Sequence, residues 1–91
     1  MNIMIKSFVD ILNSQFTPIN ENDHFYTKEG KKYIKIIRNG AVHAFIDSDL
    51  NVYKPASWNS PAKGIRYNLE KDWEVLKKNA DIYGSYLYRR G

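Results

Sequence analysis

The chain contains no cysteine, only three prolines and five glycines among its 91 residues, and no long run of apolar side chains. The absence of cysteine excludes a disulfide scaffold, Cys-based zinc sites and thiol catalysis. No stretch reaches the roughly 18–20 apolar residues that a membrane-spanning helix needs. The first residues also lack the basic leader and cleavage site of a signal peptide. We therefore expect a soluble intracellular protein with no membrane partner.

Length and composition predict a single domain over residues 1–91. A chain of this size buries roughly 60–65% of its unfolded surface, which is enough for one modest core. The hydrophobic fraction of 43% and the charged fraction of 26% are typical of globular proteins. Aromatic residues are abundant at 14%. Seven of them are tyrosines, which suit positions half in the core and half in water.

Positive charge is concentrated in the middle of the chain. The formal net charge is +4, and residues 31–66 hold seven basic and two acidic side chains. Residues 1–30 have a net charge of −2, and residues 67–91 have a net charge of +1. Such a basic segment can attract phosphates, an anionic membrane or an acidic protein surface, or it can serve solubility alone.

The N-terminal segment is predicted to be an amphipathic helix. Between residues 3 and 14, apolar side chains occupy positions 4, 5, 8, 9, 11 and 12, which is the spacing of one helix face. The helix should end near Asn13, because Thr17 precedes a proline and helical geometry is unfavourable there. Residues 17–23 are predicted to be a polar loop.

Short strands are predicted over 24–28, 31–38, 41–47 and 52–54. Asn39-Gly40 is the strongest hairpin signal, since both residues tolerate the positive φ of a type I′ turn. Alternation of side chains predicts one face that meets the helices, formed by Ile34, Ile36, Val42, Ala44 and Ile46. The opposite face is expected to present Tyr33, Lys35, His43 and Phe45, with Tyr53 or Lys54 depending on the register.

The last third of the chain is predicted to be a loop followed by a helix. Residues 55–66 indicate an ordered loop or a single helical turn, with Trp58 either filling the core or exposed as an anchor. Asn68 is expected to cap a helix that ends or breaks between Asn79 and Gly84. Its apolar stripe is Leu69, Trp73, Leu76, Ala80, Tyr83 and Leu87. Residues 86–88 are an alternative final strand, and residues 89–91 form a basic tail.

These elements predict an α+β fold. It consists of a small antiparallel sheet of three to five strands, with an N-terminal and a C-terminal helix packed on one face.

Four segments carry a further pattern. They read AVHAFID (41–47), VYKPASW (52–58), PAKGIRYNL (61–69) and DIYGSYLY (81–88). This pattern resembles small, mostly uncharacterised proteins of tailed bacteriophages, although those proteins tend to have a glycine before the acidic or polar residue that precedes Val52. The resemblance implies a viral origin and expression in the cytoplasm of a bacterial host. It implies no particular activity.

Two constellations that could carry chemistry are better explained structurally. Asp47, Asp49 and Asn51 have the opening spacing of a calcium loop, but its sixth and twelfth positions are Val52 and Trp58 instead of glycine and a carboxylate. We interpret this segment as a turn. His24 and His43 are the only histidines, and we favour ordinary strand positions over a metal or acid–base pair.

Catalytic and cofactor motifs are missing from the sequence. There is no Gly-rich phosphate loop, no nucleophile elbow and no separated pair of carboxylates. We therefore expect no enzyme activity, no cofactor and no metal.

The leading hypothesis is a non-enzymatic phage accessory protein that binds nucleic acid through a basic, aromatic sheet face. Tyr33 and Phe45 are the candidates for base stacking, and the cations around them are candidates for phosphate contacts. The predicted site comprises Tyr33, Lys35, His43, Phe45, Lys54, Lys63 and Arg66. The alternatives are a module that engages or inhibits a host protein and a minor virion component. A homodimer through an open sheet edge is also compatible with the sequence.

Overall fold

A computed structural model describes residues 2–15 and 23–89, without the side chain of Arg89. The elements in chain order are α1 (Ile3–Ser14), β1 (Tyr26–Glu29), β2 (Ile34–Arg38), β3 (Ala41–Ile46), β4 (Asn51–Tyr53), β5 (Tyr67–Asn68), α2 (Trp73–Asn79) and α3 (Tyr86–Arg89). The five strands form one antiparallel sheet in the order β1-β2-β3-β4-β5. The predicted α+β fold is confirmed.

Helix α1 agrees with the predicted amphipathic pattern. The Asn2 side chain caps its start by accepting a hydrogen bond from the Met4 N–H at 2.7 Å. Ile5, Phe8 and Leu12 are its buried residues, and their spacing of three and four places them on one face. This face attaches the helix to the sheet.

The sheet face that packs against the helices is called the inner face. Directly paired residues of neighbouring antiparallel strands point to the same side of a sheet. Glu29, Ile34, Ile46, Val52 and Tyr67 are paired in this way across all five strands. The last three join one buried cluster with residues of α1, α2 and α3 that include Phe8, Leu76 and Leu87. Both terminal helical regions therefore share one side of the sheet, as predicted.

The β2–β3 hairpin has the predicted turn but also a bulge. Asn39 and Gly40 have φ values of 52° and 75°, which fit a type I′ turn. Pairing then shifts, because Ile37 lies opposite Val42 whereas Ile36 lies opposite Ala44. His43 is the additional residue, and a bulge of this kind redirects side chains. The predicted placement of Val42 on the inner face is wrong, since Val42 is partly exposed and lies outside the inner cluster.

The C-terminal region departs further from the prediction. Asn68 lies in β5, a short strand that the sequence pattern does not reveal, and its side chain accepts hydrogen bonds from the Glu70 and Lys71 N–H groups. It therefore caps the turn that precedes α2, while α2 itself begins at Trp73. Tyr83 is 84% exposed and leaves the apolar stripe.

The alternative of a final strand at residues 86–88 is wrong. These residues form α3, whose Tyr86 and Leu87 are buried in the inner cluster.

Some predictions fall outside the part of the chain that is described. Of the predicted loop at 17–23 only Asp23 is described, and of the predicted tail at 89–91 only the backbone of Arg89. Within residues 2–15 and 23–89, no helix has the length and apolar character needed to span a membrane.

Candidate nucleic-acid interface

The sheet face opposite the helices is called the outer face, and a row of paired residues crosses it. Lys28 of β1 pairs with Lys35 of β2, which pairs with Phe45 of β3, which in turn pairs with Tyr53 of β4. Direct pairing places these four side chains on one side of the sheet. The Tyr33 ring joins them, because its centroid lies 5.7 Å from that of Phe45 and 5.8 Å from that of Tyr53.

Phe45 lies on the outer face as predicted, but its predicted role as an exposed stacking ring is wrong. Its side chain is only 1% exposed. The planes of the Phe45 and Tyr33 rings are inclined by 76°, an edge-to-face geometry typical of packed aromatic pairs. Phe45 and Ile37 are both buried outside the inner cluster. These two residues are therefore the buried apolar part of the outer face.

His43 does not lie on the outer face, so its predicted place in the binding site is also wrong. Its imidazole Nε2 and the Tyr86 hydroxyl share a hydrogen bond of 2.7 Å. The Phe25 ring meets it edge to face at 5.0 Å, and Phe25 and Tyr86 both belong to the inner cluster. The bulge at this position explains the inward direction.

Burial determines the charge of His43. It lowers the pKa of the imidazole to about 4, a shift that the Asp81 carboxylate opposes and the Arg38 guanidinium reinforces. His43 is therefore neutral near pH 7 and adds no positive charge to a binding surface.

The loop at 54–66 folds back over the outer face. An isolated bridge between Pro55 and Pro61 closes its first part. The Lys35 ammonium lies 4.2 Å from the centroid of the Trp58 ring and donates a hydrogen bond to the Asn59 side chain at 3.3 Å. Trp58 remains 42% exposed, so it does not fill the core. This half-exposed indole and its lysine form a cation–π pair beside the aromatic row.

The remaining predicted cations lie outside the paired row of the outer face. The Lys54 ammonium sits 4.3 Å from the centroid of the Tyr88 ring of α3. Lys63 is exposed on loop 54–66, and Arg66, on the same loop, is partly buried. The structure therefore brings Tyr33 and Lys35 to one face, buries Phe45 within that face, and turns the partly buried His43 away from it toward Tyr86.

Comparison with known proteins adds a family but no function. Residues 3–89 match the sequence model of a family described as a family of unknown function, DUF7717. The chain belongs to the DUF7717 family. No curated protein and no solved structure matches it. For this DUF7717 member, function must therefore be argued from the outer face itself.

Two residues of the outer face escaped prediction from the sequence of this DUF7717 chain. Tyr26 pairs directly with Ile37, and Lys28 with Lys35, so both belong to the outer face. Tyr26 is 49% exposed and Lys28 is exposed. Alternation within β1 groups Tyr26 with Lys28, but only the register with β2 decides which face they share.

The turn between β3 and β4 is organised by the Asp47 carboxylate. One oxygen accepts hydrogen bonds from the N–H groups of Asp49 and Asn51 at 2.9 and 3.0 Å. The other accepts from the Asn51 side chain at 3.2 Å and from the Tyr53 hydroxyl at 2.8 Å. These bonds agree with the interpretation of the segment as a turn. In the described part of the chain, no group of three or more His, Asp or Glu side chains is placed to hold a metal ion.

The Asp47 network also shifts two pKa values. Partial burial by itself would raise the pKa of Asp47, but the hydrogen bonds from Tyr53 and Asn51 outweigh it and hold the pKa below its usual value. Burial and the neighbouring carboxylate raise the pKa of Tyr53 to about 12. The carboxylate therefore stays charged, and it orients the Tyr53 ring on the outer face.

Replacing Asp47 with alanine is expected to lower the free energy of unfolding by about 1–3 kcal/mol, because four donors lose a charged acceptor. Urea denaturation followed by circular dichroism measures this loss. Asp49→Ala is the matched control, since the exposed Asp49 uses its backbone N–H in this turn. An equal effect of the two substitutions would show that the Asp47 network does not hold the turn.

Proposed function

We propose that this protein binds nucleic acid with unpaired bases through the outer face, and that it acts without catalysis. The observation that supports this is the arrangement of accessible rings and ammonium groups on one surface. Tyr26 and Trp58 are about half exposed, Tyr33 is partly exposed, and Lys28 and Lys35 lie beside each other among them. Bases stack on such rings while lysines neutralise the phosphates.

Two lysines at this surface, Lys32 and Lys35, lie against aromatic rings. Lys35 lies over Trp58, and the Lys32 ammonium is 5.8 Å from the centroid of the Tyr33 ring. A ring attracts an ammonium group but does not cancel its charge as a carboxylate does, so the positive potential stays available to a phosphate. Each stacked base contributes about 1–3 kcal/mol, so two rings with a few cations support roughly micromolar binding.

The setting follows from the resemblance to tailed-phage proteins. We propose that the protein is a phage accessory protein that acts in the cytoplasm of a bacterial host. Binding to bases through stacking tolerates any sequence, because every base has a π face. Such a module would cover exposed single strands during viral growth.

The test is a fluorescence titration with labelled single-stranded and duplex oligonucleotides at low and high salt. Combining Tyr33→Ala with Trp58→Ala is expected to weaken single-strand binding by at least about tenfold, because two stacking surfaces are lost. Trp58 is 42% exposed and Tyr33 is partly exposed, and circular dichroism checks that the double variant is folded before its affinity is compared. Phe45 is left intact because it is buried.

A matched pair of charge variants tests the phosphate contacts. Lys35→Gln is expected to weaken binding and to reduce its dependence on salt by about one released counterion. Lys78→Gln removes the same charge from an exposed position of α2 and should leave the affinity unchanged. No binding at low salt, or equal effects of these two substitutions, would refute the proposal.

A further inference from the structure

A groove runs from the outer face toward α3. One cleft of about 330 Å³ lies between Gly40–Val42 and Pro55–Trp58. A second cleft of about 240 Å³ continues from it, shares Ala41, Val42 and Pro55 as walls, and ends at Tyr83 and Tyr88. Trp58 lines the first cleft, and its ring also contacts the Lys35 ammonium. The groove is therefore continuous with the outer face.

The charges along the groove fit a flexible polyanion. Each end has an ammonium group on a ring, formed by Lys35 with Trp58 and by Lys54 with Tyr88. Among the described residues, no carboxylate lines either cleft. Arg38, which does line one of them, is paired with the Asp23 carboxylate at 3.0 Å. The described lining of the two clefts thus includes one ion-paired cation and no carboxylate, and an ammonium group lies near each end.

The rim of the groove offers further stacking surface. Tyr83 is 84% exposed and Tyr88 is 61% exposed, so both rings are accessible to a ligand. The Asp81 carboxylate fixes the turn that carries Tyr83, since it accepts hydrogen bonds from the N–H groups of Tyr83 and Gly84 at 2.9 and 2.7 Å. These hydrogen bonds hold the backbone turn that places the Tyr83 side chain in solvent.

We propose that a single strand which occupies the outer face continues along this groove, past Trp58 and Pro55, to stack on Tyr83 and Tyr88. This inference rests on the proposed function and adds a direction and a length to it. A duplex has no unpaired base for these rings, so the groove selects single strands. A polypeptide is the competing occupant, but the ammonium groups near both ends and the lack of a carboxylate among the described lining residues favour the oligonucleotide.

Length dependence is the experiment that tests the groove. OB-fold domains that bind single strands cover about 4–16 nucleotides, so labelled oligothymidylates of about 4 and about 16 nucleotides bracket that range and are titrated in parallel. Combining Tyr83→Ala with Tyr88→Ala is expected to weaken binding of the longer strand about tenfold and to change binding of the shorter one less than about twofold. Ile3→Ala, an exposed apolar residue of α1, is the control and should change neither.

A second readout reports occupancy directly. Gly40 and Gly84 line the two clefts, so their amide NMR signals are expected to shift with the longer strand and much less with the shorter one. If the groove receives a polypeptide instead, neither signal shifts with any oligonucleotide, and the inference is overturned.

Failure of the groove and failure of the proposed function have different signatures. If the Tyr83 and Tyr88 substitutions leave the longer strand unaffected while those at Tyr33 and Trp58 weaken it, the groove is refuted and the outer face remains. If the unaltered protein binds neither oligonucleotide at low salt, the proposed function is refuted and the groove with it.

Discussion

Replacing Phe45 with alanine is expected to lower the free energy of unfolding by about 3–5 kcal/mol, the usual cost of removing a buried phenylalanine side chain. Phe45 is 1% exposed, and it fills the space between Tyr33 and the sheet. Small domains are stable by only about 5–15 kcal/mol, so the variant loses much of its stability. Urea denaturation followed by circular dichroism measures the difference.

Two further substitutions keep this prediction testable if the alanine variant does not fold. Phe45→Leu keeps most of the volume and is expected to cost less than about 1.5 kcal/mol. Tyr83→Ala removes a ring that is 84% exposed and should change stability by no more than about 0.5 kcal/mol. A loss at Phe45 as small as that at Tyr83 would mean that Phe45 is exposed in solution, and the stacking role first expected of it would return.

The elements that the sequence predicts well are those whose pattern is local. Helix α1 follows from apolar spacing over residues 3–14, and the β2–β3 turn follows from Asn39-Gly40, which satisfies positive φ. In both cases the physical cause lies within one turn of helix or two residues of hairpin. Tertiary contacts in these two elements stabilise the conformation that the local sequence already favours.

The face occupied by His43 was not predictable in the same way. Strict alternation places it beside Lys35 and Phe45, and only the shift in pairing between β2 and β3 turns it inward. The imidazole then contacts Phe25 and Tyr86, which are distant in sequence and which local alternation therefore does not reveal. The bulge of a single residue thus turned one predicted binding residue away from the outer face and toward Phe25 and Tyr86.

The C-terminal region shows why propensity failed for residues 86–88. Tyr-Leu-Tyr has the composition of a strand, yet Tyr86 and Leu87 are buried as part of α3. Gly84, with φ of 79°, and the hydrogen bonds to Asp81 end the preceding turn and start a new one. Packing against the inner cluster decided the conformation, as tertiary context commonly does.

The accessible part of the candidate site was predictable only in fragments. Tyr33 and Lys35 are predictable because alternation in β2 is regular. The face of Tyr26 and Lys28 depends on the register between β1 and β2, which the sequence does not show. The sequence leaves Trp58 with two alternatives, since nothing local shows that loop 54–66 returns to Lys35.

Lowering the pH from about 7.5 to about 4.5 is expected to reduce the free energy of unfolding by about 2–3 kcal/mol through His43 alone. Burial holds the pKa of His43 at about 4 in the folded protein, against 6.5 for an ordinary histidine. Between pH 6.5 and about pH 4, His43 is protonated in the unfolded chain and neutral in the folded protein. The free energy of unfolding therefore decreases as the pH falls. Above about pH 6.5 both forms are neutral and the effect vanishes.

The variant His43→Gln separates this contribution from that of the carboxyl groups. Glutamine does not titrate, so its stability should stay nearly constant across the same range, measured by urea denaturation at each pH. Asp47 and Asp81 have lowered pKa values in the folded protein, so their stabilisation is lost only below about pH 4. The Tyr86 phenol stays neutral throughout, because burial and the Asp81 charge raise its pKa. The same loss of stability in the variant and in the unaltered protein would show that His43 is solvated and not locked against Tyr86.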